Sequence, residues 1–142
     1  MSRAAKDDIM RQFEINAVGP FLVTRAFYSH LKQAANASGQ ATVGHISGIV
    51  ASVGGCNFPG LYGYSASKAA LNMFHAKLAR DLKKDKIVSL SLHPGIVATD
   101  LTANKGNLQP HEAATALATL LNGATAAQTG KFLDYQGKEI PW

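Results

Sequence analysis

The chain has 142 residues, 46% hydrophobic and 16% charged, which is enough for one domain with one core and excludes a disordered chain. Its formal net charge of +5 is scattered and lacks interleaved aromatic side chains, so the charge reflects solubility or an anionic cofactor rather than nucleic-acid binding. No apolar stretch reaches the length of a membrane span, and the first eight residues lack the core of a signal peptide.

The first predicted element is a long helix from Ile9 to about Leu31. Asp7 and Asp8 precede it, where carboxylates stabilise the exposed amide groups of a helix start. Its apolar residues recur near one face, at Phe13, Ala17, Phe21, Phe27 and Leu31.

Pro20 interrupts this helix. Proline has no N–H group, so the backbone carbonyl of Asn16, four residues earlier, loses its helical partner. Asn16 therefore combines a polar side chain with a free backbone acceptor at a kink. Alone, this pattern is also compatible with an ordinary kink and a solvated asparagine.

A short strand is predicted from Ala41 to Ser47. The segment Gly48–Gly63 contains five glycines and Pro59, which indicates a long irregular loop of the kind that is often functional in a compact domain. Cys56 lies in this loop and is the single cysteine of the sequence, so it cannot form an internal disulfide. We therefore expect a reducing, cytoplasmic setting.

A second helix is predicted from Tyr64 to Leu82, because apolar residues recur at helical spacing, at Ala66, Ala70, Met73, Phe74, Leu78 and Leu82. Tyr64 and Lys68 then lie one turn apart on one face. An ammonium group at about 5 Å is predicted to lower the pKa of the phenol, through a coupling of about 3 kcal/mol at an effective dielectric of about 20. Such a phenol can exchange a proton near neutral pH. The spacing alone also fits an amphipathic helix with a surface lysine.

The second half of the chain continues the alternation. A strand over Ile87–Leu92 leads into His93-Pro94-Gly95, and the polar segment Thr102–Gln109 that follows is predicted to be mobile. A third helix runs over Pro110–Leu121, with proline in its first turn, and a last strand over Gly130–Tyr135.

The order helix, strand, helix, strand, helix, strand predicts an α/β fold in which parallel strands are joined by crossover helices. Ligands of such sheets bind beyond the carboxyl ends of the strands. The loop after Ser47, the helix start at Tyr64 and the segment His93–Gly95 all fall there. The residues thus predict a pocket with a tyrosine–lysine acid–base pair, and the five histidines form no metal-ligand pattern.

Four patches resemble the short-chain dehydrogenase/reductase family, in particular its carbonyl-reductase-like members and the C-factor group, in the family's order and spacing. Asn16–Gly19 resembles the active-site asparagine motif, and Tyr64–Asn72 resembles the Tyr-x-x-x-Lys helix. His93–Asp100 resembles the Pro-Gly loop at the nicotinamide, and Gly130–Trp142 resembles a C-factor-like terminus. Together they cover nearly the whole chain, which is identified as a member of this family.

The resemblance implies an NAD(P)-dependent oxidoreductase that transfers hydride between a nicotinamide and a carbonyl or alcohol substrate, with NADP or NAD as cofactor and NADP preferred. Tyr64 is implied to protonate the carbonyl oxygen. Lys68 is implied to lower the pKa of Tyr64 and to bind the nicotinamide ribose. The Asn16 carbonyl is implied to hold a water that links Lys68 to solvent. The nicotinamide would contact Tyr64, Lys68, Pro94, Gly95, Ile96, Val97 and Thr99.

One departure concerns the serine that polarises the substrate carbonyl in this family. The usual Ile-Ser-Ser reads Ile46-Ser47-Gly48 here, so Gly48 stands at the aligned position. Side chains alternate along a strand, so Ser47 does not simply replace it. Ser47 remains a candidate if the strand has ended, and Ser52 if the loop folds back. Loss of an oriented donor costs about 10²–10³ in rate.

A second departure is that the family's Gly-x-x-x-Gly-x-Gly turn, which binds the cofactor's pyrophosphate, does not occur. We therefore expect residues 1–142 to form a single partial domain, the catalytic C-terminal half of a Rossmann-type doubly wound parallel sheet with three strands. The strands flanking the first strand would then be missing, which leaves an unpaired edge. As an isolated fragment the chain is expected to be inactive.

The alternative is a non-catalytic binding or interaction module that kept the fold and lost the serine and the glycine turn. A glycine-rich turn upstream of Met1 would favour the enzyme. The expected partner is a small-molecule carbonyl or alcohol substrate, bound under the loop Thr102–Gln109, and neither nucleic acid nor a membrane. The chain is expected to be a monomer or a homodimer, the latter through the helices Ile9–Leu31 and Tyr64–Leu82.

Overall fold

A computed structural model describes residues 4–142, so residues 1–3 of the expected domain lie outside the described part. The helices and strands occur in the predicted order. They are α1 (Lys6–Phe13), α2 (Gly19–Ala26), α3 (Tyr28–Ser38), β1 (Ala41–Ile46), α4 (Tyr62–Leu82), β2 (Ile87–His93), α5 (Pro110–Asn122) and β3 (Phe132–Asp134).

The three strands form one parallel sheet in the order β1-β2-β3. Ile46 at the end of β1 pairs with Leu92 of β2, and Leu92 pairs with Leu133 of β3. The central strand β2 is buried from Ile87 to Leu92, as is usual for a parallel strand covered on both faces. The predicted α/β fold with three parallel strands and crossover helices is confirmed.

Helices cover both faces of the sheet. On one face, leucines of α5 (Leu117, Leu120 and Leu121) pack against Val88, Leu90, Leu92 and Leu133. On the other face, Ala35 of α3 and Leu82 of α4 pack with Ala41 and Ile87. The carboxyl ends of β1 and β2 therefore lie between the two layers of helices.

The predicted long helix Ile9–Leu31 is divided at more points than the single interruption expected at Pro20. The helical region runs from Lys6 to Ser38 and is divided by a π-helical turn over Glu14–Val18 and by a break at Phe27. In the π turn the N–H of Gly19 donates to the carbonyl of Glu14, five residues back. Pro20, which has no N–H to donate, follows at once, so the predicted interruption is confirmed.

The predicted apolar face of this region is confirmed at four of its five positions. Ala17 is buried, and Phe13, Phe21 and Leu31 are half-buried, whereas Phe27 is 56% exposed. Phe27 lies at the break between α2 and α3, where the regular helical spacing is interrupted. The apolar periodicity read from the sequence therefore continues past Pro20 and fails at Phe27.

The buried face of α4 differs from the predicted apolar set as well. Met73 of that set is 61% exposed. Apart from two leucines, the buried residues of α4 are instead small or polar, namely Gly63, Ser67, Leu71, Asn72, His75, Ala79 and Leu82.

These polar side chains are paired with hydroxyl groups beneath them. Ser91 donates to Asn72 Oδ1 at 2.8 Å, and Ser89 Oγ lies 3.1 Å from His75 Nδ1. On the neighbouring strand, His45 Nε2 lies 3.0 Å from the hydroxyl of Thr24. This buried polar layer holds α4 in one position on the sheet, because a buried polar group that loses its partner is costly.

The histidine at the centre of this layer predicts a loss of stability in acid. Burial, and secondarily the charge of His45, lower the pKa of His75 to about 4. The unfolded chain therefore binds this proton first as the pH falls, so the contribution is complete above about pH 6.5 and is lost progressively towards pH 4. We expect His75 to lower the free energy of unfolding by about 3 kcal/mol over that range. Burial also lowers the pKa of His45 and of His93, so these two histidines act in the same direction.

Urea unfolding followed by circular dichroism between pH 7.5 and pH 4 measures this effect. His75→Leu should flatten the dependence on pH, whatever it does to stability at pH 7.5. His111→Gln, which changes an exposed histidine, should leave the dependence as in the parent chain. If the free energy of unfolding of His75→Leu depends on pH as strongly as that of the parent chain, the dependence comes from other groups.

Candidate active site

Tyr64 and Lys68 lie in the first two turns of α4, beside the carboxyl end of β1. Lys68 Nζ donates to the backbone carbonyl of Ile46, the last residue of β1, at 2.8 Å. The same nitrogen lies 5.9 Å from the centroid of the Tyr64 ring. Both side chains are half-buried. The structure thus brings the phenol and the amine together at the strand end.

The predicted lowering of the Tyr64 pKa is wrong for this chain. Burial raises the pKa of the Tyr64 hydroxyl, and burial likewise lowers the pKa of the Lys68 amine. Desolvation disfavours the charged form of both groups, and it outweighs the attraction that spacing alone predicts. Near neutral pH the phenol of Tyr64 therefore keeps its proton, so it can act as a general acid rather than as a general base.

Position 48 faces the Tyr64 hydroxyl. Gly48 is buried and its backbone is extended, with φ −160° and ψ 155°. A Cβ built there would lie 4.0 Å from Tyr64 Oη and 3.5 Å from Val50 Cγ2, both ordinary contacts. The site has room for a side chain at this point, and the chain supplies none.

Ser47 and Ser52, the two candidates to replace the missing hydroxyl, differ in their hydrogen bonding. Ser47 is buried, and its hydroxyl has no hydrogen-bond partner among the described residues. Because Gly48 faces Tyr64 and neighbouring side chains of extended backbone alternate, Ser47 points away from it, and its role stays a prediction. Ser52 is engaged elsewhere: its hydroxyl donates to the carbonyl of Pro141 at 2.5 Å. This engagement disfavours the alternative in which Ser52 donates to the substrate.

Asn16 lies in the π turn and contacts the start of α4. Its side-chain Nδ2 donates to Ser67 Oγ at 3.1 Å, and Ser67 donates in turn to the carbonyl of Tyr64 at 2.8 Å. These bonds tie the π turn to the helix that carries Tyr64 and Lys68. Sequence reasoning missed Ser67, although its place between the two candidate residues was a signal. The water-holding role of the Asn16 carbonyl stays a prediction.

The loop that follows β2, which begins with Pro94 and Gly95, lies next to the end of β1. It begins beside the end of β1, because the N–H of Ser47 donates to the carbonyl of Leu92 at 2.8 Å. The segment predicted to be mobile is bound to it by backbone hydrogen bonds: Ala98 N–H donates to Leu108 O at 2.8 Å, and Asn107 N–H to Ile96 O at 2.9 Å. Thr99 caps the short turn between them through Thr102.

Gly95 is needed for the shape of this loop. Its φ is +85°, and an added Cβ would lie 2.5 Å from Leu108 Cδ1 and 3.1 Å from Tyr135 Cδ1. We expect Gly95→Ala to lower the free energy of unfolding by about 3 kcal/mol, from the left-handed backbone and from overpacking together. Urea unfolding at pH 7.5 measures it.

Gly39 provides the matched control, because its φ is +84° and nothing lies within 4 Å of an added Cβ. Gly39→Ala should cost only the backbone contribution, about 1–2 kcal/mol. Equal losses for the two variants would show that the contacts with Leu108 and Tyr135 do not constrain the loop.

The residues at the strand ends fit one half of a nicotinamide dinucleotide. Lys68 uses one N–H on Ile46, so its ammonium form has two left for ribose hydroxyls. Ile96, in the loop that follows β2, is 56% exposed and is available to an aromatic ring. Residues 1–142 contain no Gly-x-x-x-Gly-x-Gly turn for the pyrophosphate. The chain thus offers contacts to the nicotinamide half and lacks the usual contact to the rest.

Across residues 4–142, no helix is both long and apolar enough to cross a membrane. In that same part of the chain, no three side chains of His, Cys, Asp or Glu are grouped as metal ligands.

Comparison with known proteins gives consistent matches. A family model described as short chain dehydrogenase matches residues 1–110. C-signal of Myxococcus xanthus is 36% identical over 135 residues, which cover 95% of this chain and 79% of C-signal.

Solved structures match over the full chain. The carbonyl reductase Sniffer of D. melanogaster superposes with a TM-score of 0.96 at 27% identity. An NADPH-bound carbonyl reductase from chicken fatty liver superposes with a TM-score of 0.87 at 26% identity. Each match covers 100% of this chain and 60% of the other, so the chain spans about three fifths of the length of these carbonyl reductases.

Proposed function

Because the chain belongs to the short-chain dehydrogenase family, we propose that it is the catalytic part of an NAD(P)-dependent oxidoreductase acting on a carbonyl or alcohol substrate. The observation that carries the proposal is the Tyr64–Lys68 pair at the end of β1, with Lys68 bound to Ile46 and its nitrogen 5.9 Å from the phenol ring.

The pKa directions favour the reductive sense of the reaction. The nicotinamide, when bound, supplies the hydride. Tyr64 holds its proton because burial raises its pKa, and the hydroxyl donates that proton to the carbonyl oxygen. The phenolate left behind lies beside Lys68, whose positive charge stabilises it. The Lys68 amine thus stabilises the Tyr64 phenolate that the proton transfer produces.

Reprotonation of Tyr64 needs a path from solvent. The side-chain amide of Asn16 donates to Ser67. The backbone carbonyl of Asn16 is the group that the family resemblance assigns to a water linked to Lys68. The π turn before Pro20 is the feature that supports this role, because π turns often occur at functional sites.

NADP or NAD is the proposed cofactor, with NADP preferred, and the NADPH in the chicken carbonyl reductase supports that preference. Pro94, Gly95, Ile96 and Val97 would line the nicotinamide, and Thr99 would reach its amide or a phosphate. The proposed substrate is a small carbonyl compound or alcohol, covered by the segment Thr102–Gln109. Whether the protein is a monomer or a homodimer, and its cytoplasmic location, stay predictions.

We also propose that residues 1–142 form one partial domain, with the adenosine half of the cofactor bound by residues outside them. The supporting observations are the coverage of 60% of the carbonyl reductases, the absence of a glycine turn, and the position of β1 at the edge of the sheet. The isolated chain is accordingly expected to show little or no turnover.

The longest natural polypeptide that contains these residues is the sample for the test. Its oxidation of NADPH and NADH, followed at 340 nm with a panel of aldehydes and ketones, should depend on substrate. Cofactor binding without turnover for any substrate would support the second candidate, a non-catalytic binding module, which the missing hydroxyl at Gly48 favours. Failure to bind either cofactor would remove the oxidoreductase proposal altogether.

A further inference from the structure

The turn that follows β1 is bonded to the segment Ile140–Trp142. Ser52 donates to the carbonyl of Pro141 at 2.5 Å across 89 positions of sequence, and the N–H of Gly54 donates to the carbonyl of Trp142 at 2.8 Å. A Cβ at Gly54 would lie 3.0 Å from that carbonyl oxygen. The two segments thus approach so closely that only glycine fits without a shift.

The same segment is anchored in the core. Ile140 is buried together with Phe132 of β3 and with Ala51 of the turn. The Trp142 ring stacks on Phe132 with centroids 5.6 Å apart and an interplanar angle of 27°. It also lies 6.1 Å from the ring of His75 in α4. The segment therefore joins the turn to β3 and α4 through two buried side chains, Phe132 and His75.

The anchored turn is short and leads directly to position 48. The N–H of Ala51 donates to Gly48 O at 2.9 Å, and the N–H of Ser52 donates to Ile49 O at 3.1 Å. A displacement of Ser52 is therefore transmitted to Gly48, the residue that faces the Tyr64 hydroxyl.

We propose that the segment Ile140–Trp142 is a positioning element of the active site, which holds the turn Gly48–Ser52 against Tyr64. The proposal rests on the proposed function for its effect on turnover. Trp142 and Pro141 touch no reacting atom; they act through the turn. A displacement of about 1 Å in a reacting arrangement costs about 100-fold in rate.

The test combines a physical readout with kinetics, on the longest natural polypeptide. Amide hydrogen exchange of residues 48–55 measures whether the turn is held. The Cζ resonance of Tyr64 in tyrosine-labelled protein, assigned with Tyr64→Phe, reports the surroundings of the hydroxyl without requiring turnover. We expect Trp142→Ala to accelerate exchange of the Gly54 amide about tenfold, to shift the Tyr64 resonance, and to lower kcat with KM unchanged.

Three further variants separate positioning from general stability. Ser52→Ala removes the hydrogen bond to Pro141, together with the one that the Ser52 hydroxyl accepts from the N–H of Gly55. It should act in the same direction, which keeps the test decisive if Trp142→Ala fails to fold. Trp142→Phe keeps an aromatic ring on Phe132 and should restore most of the exchange protection and kcat. Glu139→Gln breaks the exposed Lys131–Glu139 ion pair, which lies next to the segment in sequence, and should change none of the three readouts.

Each outcome decides one proposal. Unchanged exchange and an unchanged Tyr64 resonance in both Trp142→Ala and Ser52→Ala would overturn the positioning role. Faster exchange with an unchanged resonance and unchanged kcat would overturn it too, because the segment would then be structural only. The parent protein could also show no turnover while the variants change the exchange and the Tyr64 resonance as expected. That result would contradict the proposed oxidoreductase activity and would still support the contact between the segment and the surroundings of Tyr64.

Discussion

Tyr64→Phe is expected to abolish substrate-dependent oxidation of NADPH, with a fall in kcat of about 10²–10⁴-fold. Phenylalanine keeps the ring at the start of α4 and removes only the hydroxyl. Because burial raises the pKa of Tyr64, that hydroxyl carries its proton at neutral pH and is the acid the reduction needs. Steady-state kinetics at 340 nm measure the loss, and NADPH fluorescence should show nearly unchanged cofactor binding.

Tyr62 supplies the matched control. It lies two residues earlier in the same helix and is 53% exposed, so Tyr62→Phe should keep the turnover of the parent protein. Lys68→Met should also lower kcat, because the phenolate would lose the positive charge beside it, and it should weaken cofactor binding as well. Turnover that survives Tyr64→Phe would take Tyr64 out of the mechanism.

Gly48→Ser is expected to raise kcat by about 10²–10³-fold. The extended backbone at Gly48 accepts any residue, and a Cβ there meets Val50 and the Tyr64 hydroxyl only at ordinary contact distances. The new hydroxyl would lie beside the place where the substrate oxygen receives its proton, and it would donate to the charge that develops there. The gain should appear in kcat at saturating substrate.

Gly48→Ala separates the donor from the added volume, because it supplies the Cβ without a hydroxyl and should give no gain. Ser47→Ala tests the remaining alternative. If Ser47 already polarises the substrate, its removal should lower kcat sharply, and Gly48→Ser should then add little. A Gly48→Ser protein no faster than Gly48→Ala would show that position 48 does not reach the reacting oxygen.

Together these variants describe a site in which acid and base are set by burial. The structure places the phenol and the amine half-buried, which keeps the one protonated and lowers the proton affinity of the other. Sequence spacing predicts their proximity correctly and the sign of the pKa change wrongly. The reason is that desolvation depends on atoms of other elements packed around the pair, which spacing within one helix does not contain.

Local patterns in the sequence were sufficient for the order of helices and strands, the parallel sheet and the interruption at Pro20, because each follows from short-range periodicity or from the missing N–H of proline. They were also sufficient to place Tyr64 and Lys68 on one face of a helix. The kink at Pro20 and the Tyr64–Lys68 pair involve residues within about one turn of each other, and the parallel sheet follows from the order in which the elements alternate.

Only the tertiary structure decided which side of α4 is buried, that Ser52 is bound to Pro141, and that position 48 faces the Tyr64 hydroxyl. It also decided the direction of the Tyr64 pKa. Each of these depends on contacts between residues far apart in sequence, and the free energy of such contacts comes from burial and from pairing of polar groups across elements. No local pattern carries that information, because the partner of each group lies in a different part of the chain.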